Sequence, residues 1–251
     1  HSPLRNQLVK FCYANGIRSY ITPKISDIII RSSESMHLFD TPLLLSRNTG
    51  FSIEQKFVKR IMDIIVSIIA LLVTSPIMLV VAAAIKLYDG GPVFFLQERC
   101  TIGGKVFMIH KFRSMVEGAE KDGEVIPASE DDKRITPIGR IIRKTRIDEL
   151  PQFIDILKGD MSVVGPRPER VEHVEQYTKD VPEFAYRLKV KGGLTGYAQV
   201  YGKYNTTAYD KLKLDLMYIQ NYSFLLDLRL IIMTAKIIFV KESTEGFEDK
   251  G

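Results

Sequence analysis

The sequence IMDIIVSIIALLVTSPIMLVVAAAI, residues 61–85, decides the fold. Its clearly polar residues are Asp63, Ser67, Thr74 and Ser75, so it lacks the continuous polar stripe of a surface helix. A straight helix of this length reaches roughly 37 Å, which exceeds the ~30 Å hydrocarbon core of a bilayer. The stretch therefore predicts a membrane-inserted helix, with a buried core helix as the alternative.

Positive charges flank this helix on both sides, with Lys56, Lys59 and Arg60 before it and Lys86, Arg99, Lys105, Lys111 and Arg113 after it. That symmetry conflicts with the positive-inside rule for a single crossing. Near the middle, Pro76 removes a backbone donor and kinks the helix, and the hydroxyl of Ser75 can bond the freed carbonyl. These features favour a re-entrant helix that bends at Ser75-Pro76 and returns to the same face. A kinked spanning helix stays open as the alternative.

Residues 1–50 form a separate segment that is too small to bury a core of its own. Arg18–Ile21 is predicted as a strand and Ile25–Arg31 as a helix or a strand, and Thr41-Pro42 and Asn48-Thr49-Gly50 mark a boundary. The chain begins at His1 without a signal peptide, so we expect a fragment whose upstream part has been removed.

Residues 91–251 combine a hairpin with short helices, which gives an α+β fold that is mainly helical. The predicted elements are strands at Val93–Cys100 and Lys105–Arg113 joined at Gly103-Gly104, a loop with some helix at Val116–Arg134, and helices at Pro137–Ile147 and Pro151–Lys158, the latter closing at Gly159. The apolar run Phe224–Val240 carries Asp227, Arg229 and Lys236, which make spanning costly and favour an amphipathic helix at the membrane interface.

Composition narrows the function classes. A net charge of +5 suits nucleic acid, anionic lipid or phosphorylated small molecules. Two cysteines and four scattered histidines provide neither a disulfide framework nor a zinc set, and Gly103-Gly104-Lys105 lacks the spacing of a P-loop. No Ser-His-Asp arrangement can be argued from the sequence.

The neighbouring carboxylates Asp148 and Glu149 are the strongest catalytic candidates. Leu150 precedes a proline and Pro151 is tolerated in a first helical turn, so the pair falls at or near a helix N-terminus. That position favours ionised carboxylates and also binds phosphate or metal. Helix capping, with Asp148 as N-cap, explains the same two residues, and the pair alone does not decide between the two interpretations.

Several cations surround the carboxylate pair in the predicted fold. Arg140, Arg143 and Lys144 share one helix face, Lys111 and Arg113 share one strand face, and Arg167 stands between two prolines in a nearly fixed backbone. Fixed cations beside a carboxylate pair match the needs of phosphoryl transfer, namely a nucleophile, a metal ligand and arginines for the phosphate oxygens.

Six ordered motifs from about Lys56 onward give the chain a specific resemblance. It is similar to the bacterial sugar transferase family, the monotopic polyprenyl-phosphate hexose-1-phosphate transferases. The motifs are Gln97-Glu98-Arg99, Lys111-Phe112-Arg113-Ser114-Met115, Arg143-Lys144-Thr145, Asp148-Glu149-Leu150-Pro151-Gln152, Lys158-Gly159-Asp160-Met161-Ser162 and Gly165-Pro166-Arg167-Pro168.

The resemblance implies a re-entrant helix broken at a Ser-Pro pair, which Ser75-Pro76 matches. It implies Asp148 as a nucleophile that forms a phosphosugar-enzyme intermediate, and Glu149 as the ligand of a magnesium ion. The implied substrate-binding residues are Lys111, Arg113, Arg143, Arg167, Gln152 and Arg99. Residues 1–50 resemble the junction in larger members, where a Rossmann-like domain precedes the transferase. Residues 51–90 would then be the re-entrant membrane helix, and residues 91–251 the catalytic transferase domain with its C-terminal interfacial helix. The segment Lys191–Gly196 departs from the family's pattern, which puts only a local loop in doubt.

The function implied is transfer of a hexose-1-phosphate from a UDP-sugar to polyprenyl (undecaprenyl) phosphate with release of UMP. It would be the first membrane step of exopolysaccharide, capsule or O-antigen synthesis, on the cytoplasmic face of the bacterial inner membrane. The expected partners are the UDP-sugar, polyprenyl phosphate and membrane lipid, and not nucleic acid. A non-catalytic scaffold that holds anionic lipid and a direct glycosyltransferase that releases UDP are the alternatives. The sugar is not specified by any residue, and a homo-oligomer is left open because apolar surface patches resemble membrane-facing ones.

Overall fold

The chain divides into two units, His1–Ser46 and Arg47–Gly251, in a computed structural model that describes residues 2–46, 50–119, 132–203 and 205–239. Most of the predicted loop Val116–Arg134 and the end of the predicted run Phe224–Val240 lie outside the described residues, as does Asn48-Thr49 of the predicted boundary.

The first unit contains two helices and a hairpin. They are α1 (Ser2–Ala14), α2 (Ile25–Arg31), β1 (Glu34–Leu38) and β2 (Thr41–Leu45), the strands antiparallel. The prediction of a helix or strand at Ile25–Arg31 resolves to helix. The predicted strand Arg18–Ile21 is wrong, because these exposed residues have no partner strand. Thr41-Pro42 begins β2 instead of marking a boundary, since an edge strand tolerates a proline.

The second unit opens with a continuous helix of 37 residues, α3 (Ile53–Asp89). The hydroxyl of Ser52 accepts from the backbone N–H of Gln55, whose side chain accepts from the N–H of Ser52, so the first turn is capped reciprocally. The helix ends at Gly90, whose left-handed φ of 73° suits a glycine C-cap. It is the one helix in the described part of the chain that is long and apolar enough to cross a membrane.

Pro76 lies inside α3 without interrupting its assignment as helix. The proline lacks the N–H that would bond to the carbonyl of Leu72, four residues earlier. Ser75 supplies the replacement, because its hydroxyl donates to that same carbonyl at 2.9 Å. The predicted rebonding by the Ser-Pro pair is therefore confirmed, while re-entry at this position stays a prediction.

The rest of the second unit contains the predicted hairpin, the three predicted helices and several further elements. Its elements are β3 (Phe94–Cys100), β4 (Val106–Phe112), α4 (Pro137–Lys144), α5 (Gln152–Lys158), β5 (Ser162–Val164), α6 (Val171–Asp180), β6 (Gly193–Thr195), α7 (Tyr197–Tyr201), α8 (Ala208–Gln220) and α9 (Phe224–Phe239), with 3-10 turns at Ile102–Gly104, Ile147–Glu149 and Pro182–Lys189. β3 and β4 are antiparallel, and β5 and β6 are parallel. The helix predicted to run to Ile147 ends at Lys144.

Both halves of α3 pack against this same domain. In the first half, Met62, Asp63 and Ser67 are buried, and in the second half Val81 and Ile85 join a core cluster with Phe112 and Ile142. Between Ser67 and Val81 most of the large side chains are exposed, including Leu72 and Val73 at 70% each. Fourteen residue steps separate Ser67 from Val81, a rise of roughly 21 Å, which is less than the ~30 Å of a hydrocarbon core.

Several of the cations that flank α3 make contacts within the protein. Arg60 bonds two carbonyls of α5, Lys86 bonds the carbonyl of Gly90, and Lys105 pairs with Asp160. These charges are therefore partly explained by internal contacts and not by membrane topology alone.

Lys59 links α3 to α9 through a buried ion pair. Its Nζ lies 2.6 Å from Asp227 Oδ2, and Tyr218 on α8 donates its hydroxyl hydrogen to Asp227 Oδ1 at 2.7 Å. Asp227, one of the charges that argued against a spanning helix, thus points inward, while Arg229 and Lys236 are exposed beside the exposed apolar residues of α9. This amphipathic arrangement agrees with an interfacial helix.

Replacing Asp227 with alanine should destabilise the domain strongly, because Lys59 would keep a buried charge without its partner. The loss is about 3–5 kcal/mol, or roughly 6–20 °C in the midpoint of thermal unfolding in detergent. Lys105→Gln is the matched control: it breaks an ion pair whose lysine is 66% exposed and should cost less than about 1 kcal/mol. Equal effects of the two changes would contradict a structural role of the buried pair.

Candidate functional site

The two carboxylates lie on a single 3-10 turn, Ile147–Glu149, between α4 and α5. Arg146 adopts a left-handed conformation with φ of 59°, which ends the helical path after α4 and turns the chain into this segment. A non-glycine residue in this region costs free energy and is enriched at functional sites. The predicted position of the pair just before a helix is confirmed, since α5 begins three residues after Glu149.

A glycine fixes the approach of α4 to the hairpin. A Cβ on Gly139 would lie 1.9 Å from the carbonyl oxygen of Ser114, so only glycine fits. The N–H of Thr136 donates to that same carbonyl, and the Thr136 hydroxyl caps α4 by accepting from the N–H of Gly139. This contact places the end of β4 beside the turn that carries the carboxylates.

Glu149 receives two cations on one oxygen. Lys111 Nζ on β4 and Arg167 Nη2 each lie 2.9 Å from Glu149 Oε1, and Arg146 Nη1 is 3.9 Å from Oε2. Burial alone would raise the pKa of the Glu149 carboxyl, but the charges of Arg167 and Lys111 outweigh burial and hold it far below its usual value. Glu149 is therefore ionised across the physiological range.

Asp148 has the opposite environment on the same turn. Burial and, next, the charge of Glu149 raise the pKa of Asp148, while Lys111, Arg146 and Arg143 lower it in part. Within the described ranges, its buried Oδ1 has no hydrogen-bond partner, and neither has the Nε2 of Gln152, which is 3% exposed. Buried polar atoms without partners are costly, so they point to a bound group as the missing partner.

The loop after β5 presents Arg167 rigidly. The carbonyl of Pro166 accepts from the N–H of Gly193, and the carbonyl of Arg167 accepts from Arg187 Nη2 at 2.8 Å. Arg187 is in turn fixed by Asp215 at 2.9 Å, and both are buried. The prediction rested on the flanking prolines; the structure adds hydrogen bonds on both sides.

Arg187 and Asp215 were missed, because no local pattern marks a pair 28 residues apart.

Arg99 extends the cationic side of the site. Its Nη1 donates to the carbonyl of Pro168 at 3.1 Å, and burial, followed by the charge of Arg167, lowers the pKa of Arg99 to about 10. Its buried Nε has no partner among the described residues. Arg99 and Arg167 therefore form a positively charged wall beside Glu149.

Two predicted cations have other surroundings. Arg113 lies one residue beyond β4 and pairs with Asp89 at the end of α3, so the structure does not bring it to Glu149 together with Lys111. Arg143 makes no ion pair with a described residue, but its charge lowers the pKa of Asp148. Ser75 and Pro76 are exposed on α3, away from the buried faces of the helix.

The site therefore combines a carboxylate pair with opposed pKa shifts and nearby lysine and arginine, which is the arrangement that phosphoryl transfer requires, in a unit that carries a long apolar helix. The model of the family described as bacterial sugar transferase matches residues 54–241, and the chain belongs to that family. The matched region lies within the second unit.

The chain is similar to several curated relatives. It is 45% identical over 185 residues to a UDP-N-acetylgalactosamine-undecaprenyl-phosphate N-acetylgalactosaminephosphotransferase of Aeromonas hydrophila, covering 72% of this chain and 44% of the relative. It is 43% identical to a UDP-glucose:undecaprenyl-phosphate glucose-1-phosphate transferase of Klebsiella pneumoniae, covering 82% and 43%. It is 41% identical to the uncharacterized sugar transferase EpsL of Bacillus subtilis, covering 74% and 90%. The chain thus spans less than half the length of the first two.

Proposed function

We propose that the chain transfers a sugar-1-phosphate from a UDP-sugar to undecaprenyl phosphate and releases UMP. The observation that carries the proposal is the contrast between Glu149, paired with Lys111 and Arg167, and Asp148, whose buried Oδ1 has no donor among the residues that the structure describes. The names of the Aeromonas and Klebsiella relatives describe the same class of reaction with two different sugars, so the proposal does not specify the sugar.

Asp148 acts as the nucleophile in the proposed mechanism. One of its carboxylate oxygens attacks the β-phosphorus of the UDP-sugar, the bond from phosphorus to the bridging oxygen breaks, and UMP leaves with that electron pair. An oxygen of undecaprenyl phosphate then attacks the phosphorus of the aspartyl phosphosugar and restores the carboxylate. Splitting the transfer into two displacements suits a buried nucleophile that lacks competing hydrogen bonds.

The cations stabilise the phosphate oxygens during both displacements. Lys111 and Arg167 are held in place by Glu149, so they are oriented before substrate binds. Arg99 and Arg143 add positive charge on either side, and Gln152 offers its unpartnered amide to the substrate. Arg113, paired with Asp89, is assigned to the margin of the site.

Glu149 fits a magnesium ion. Lys111 and Arg167 occupy its Oε1, whereas the cation paired with Oε2 among the described residues is Arg146 at 3.9 Å, so Oε2 can serve as a ligand and Asp148 stays free to attack. Magnesium is commonly bound by one or two carboxylates together with substrate phosphate and water. No cluster of three or more metal-ligating side chains occurs in the described ranges. When bound, the ion would neutralise diphosphate charge.

A monotopic placement on the cytoplasmic face of the bacterial inner membrane is part of the proposal. It is supported by the roughly 21 Å between the two places where α3 packs on its domain, which is too short for a crossing. The exposed apolar residues between those places would enter the bilayer, and the exposed side of α9 would lie at its surface. A soluble nucleotide-sugar and a lipid phosphate can then meet at headgroup depth.

Asp148→Asn should lower turnover at least a thousandfold, because an amide is not a nucleophile toward phosphorus. Radiolabelled sugar-phosphate should be trapped on the wild-type protein and not on this variant. Asp160→Asn is the matched control on a half-buried carboxylate that pairs with the exposed Lys105, and it should stay near wild type. Release of UDP would establish the direct glycosyltransferase instead, and lipid binding without nucleotide release would establish the scaffold.

Arg143→Gln should move the acid limb of the pH profile to higher pH. The positive charge of Arg143 lowers the pKa of Asp148, so its loss raises that pKa, and the ionised nucleophile disappears at a higher pH as acid is added. Plots of kcat/KM against pH measure the shift. Arg140→Gln removes the same charge one turn earlier on α4 and should leave the limb in place.

Removing magnesium with a chelator should abolish turnover, and Glu149→Gln should raise the magnesium concentration for half-maximal rate by about 10–100-fold. Binding of Mn²⁺, followed by its electron paramagnetic resonance signal, should weaken in parallel. Full activity of the wild type in excess chelator would rule out the metal.

A further inference from the structure

We propose that Asp63 and Arg60 are positioning residues of the catalytic centre. Through them, α3 holds the strand that leads to Arg167 and the helix that follows the carboxylate pair. The inference rests on the proposed function, because the proposed reaction is its readout.

Asp63 reaches β5 with a single oxygen. Its Oδ1 accepts from the hydroxyl of Ser162 and from the backbone N–H of Val163, each at 2.9 Å. All three residues are almost fully buried. The chain then runs four residues from Val163 to Arg167, and the guanidinium of Arg167 meets Glu149.

The other edge of β5 is held by backbone hydrogen bonds to the segment that contains β6. The N–H of Ser162 donates to the carbonyl of Gly192 at 2.9 Å, and the N–H of Gly165 donates to the carbonyl of Thr195 at 2.8 Å. Because α3 holds one edge and β6 the other, the position of Asp63 determines where Arg167 leaves the sheet.

Arg60 reaches the other half of the site. Its two terminal nitrogens donate to the carbonyls of Ile156 and Leu157 at 2.6 and 2.7 Å, which lie at the C-terminal end of α5. The guanidinium adds a donor to carbonyls of the last turn, where the carbonyl of Ile156 also accepts from the N–H of Gly159. α5 has seven residues and starts three residues after Glu149, so anchoring its end also restrains Asp148 and Glu149.

Arg60 and Asp63 are three residues apart and so share one face of α3. They anchor the two segments whose meeting point is the 2.9 Å contact between Glu149 Oε1 and Arg167 Nη2. Misplacement of a catalytic group by 1 Å can cost about a hundredfold in rate. The helix that carries the exposed apolar surface thus also sets the geometry of the site.

The deciding pair of variants is Asp63→Asn and Asp63→Leu. Asparagine keeps an Oδ1 that can accept both hydrogen bonds and should retain activity within about threefold of wild type. Leucine has similar size and no acceptor, and should lower kcat/KM for nucleotide-sugar about 10–100-fold. Ser67→Ala, one turn along the same buried face, is the control and should leave activity unchanged.

A double-mutant cycle separates positioning from general destabilisation. If Asp63 acts through Arg167, Asp63→Leu should cost little further rate in an Arg167→Ala background, since the group it positions is gone. Arg60→Gln should be non-additive with Glu149→Gln in the same way. Additive losses, or an Asp63→Leu variant as active as wild type, would overturn the inference.

Circular dichroism and the unfolding midpoint in detergent decide whether Asp63→Leu is folded. If it is not, Ser162→Ala, which removes one of the two hydrogen bonds, replaces it in the cycle with Arg167→Ala, and the same additivity criterion applies. A wild-type protein that releases no UMP would overturn the proposed function itself, independently of these comparisons.

Discussion

The geometry of the site depends on one carboxylate oxygen, Glu149 Oε1, which meets two cations from different parts of the chain. Lys111 comes from the hairpin and Arg167 from the loop after β5. Glu149 and Lys111 are mostly buried and Arg167 is half-buried, so removing their charges from water is costly, and mutual attraction offsets that cost only while all three keep their positions. The hairpin, the carboxylate turn and the loop must therefore be aligned at the same time, and most of the second unit serves that alignment.

The polar residues of α3 follow the same constraint. Lys59 and Asp63 would be costly in an otherwise apolar helix, but each has a buried partner, Asp227 and Ser162 respectively. These contacts fix which face of the helix meets the domain and therefore which face stays exposed. An apolar helix alone can rotate or slide against a lipid surface, whereas paired polar groups permit one arrangement. Polar positions in such a run indicate attachment to protein as readily as a pathway through lipid.

Local sequence predicted the features that depend on nearby residues. The hairpin around Gly103-Gly104, the end of α5 at Gly159 and the rebonding of Leu72 by Ser75 are decided within a few residues. The partners of the charges were not predictable in the same way, because Lys59 and Asp227 are 168 residues apart and Arg60 and Ile156 are 96 apart. The strands of the first unit were missed because a strand is stabilised by its partner and not by its own residues alone. The left-handed conformation of Arg146 was missed because an arginine gives no local signal for a positive φ.

Two adjacent carboxylates repel each other and so each raises the pKa of the other, yet here Glu149 is held ionised and Asp148 alone is pushed toward its neutral form. The tight 3-10 turn makes this possible, because it points Glu149 at both cations and leaves Asp148 without a direct one. If Asp148 accepted two charge-assisted hydrogen bonds, its oxygens would be less nucleophilic. If Glu149 had no cation partner, its carboxylate would be poorly oriented as a metal ligand. The asymmetry therefore supports the different roles proposed for two neighbouring carboxylates, and it arises from the placement of Lys111 and Arg167 beside Glu149.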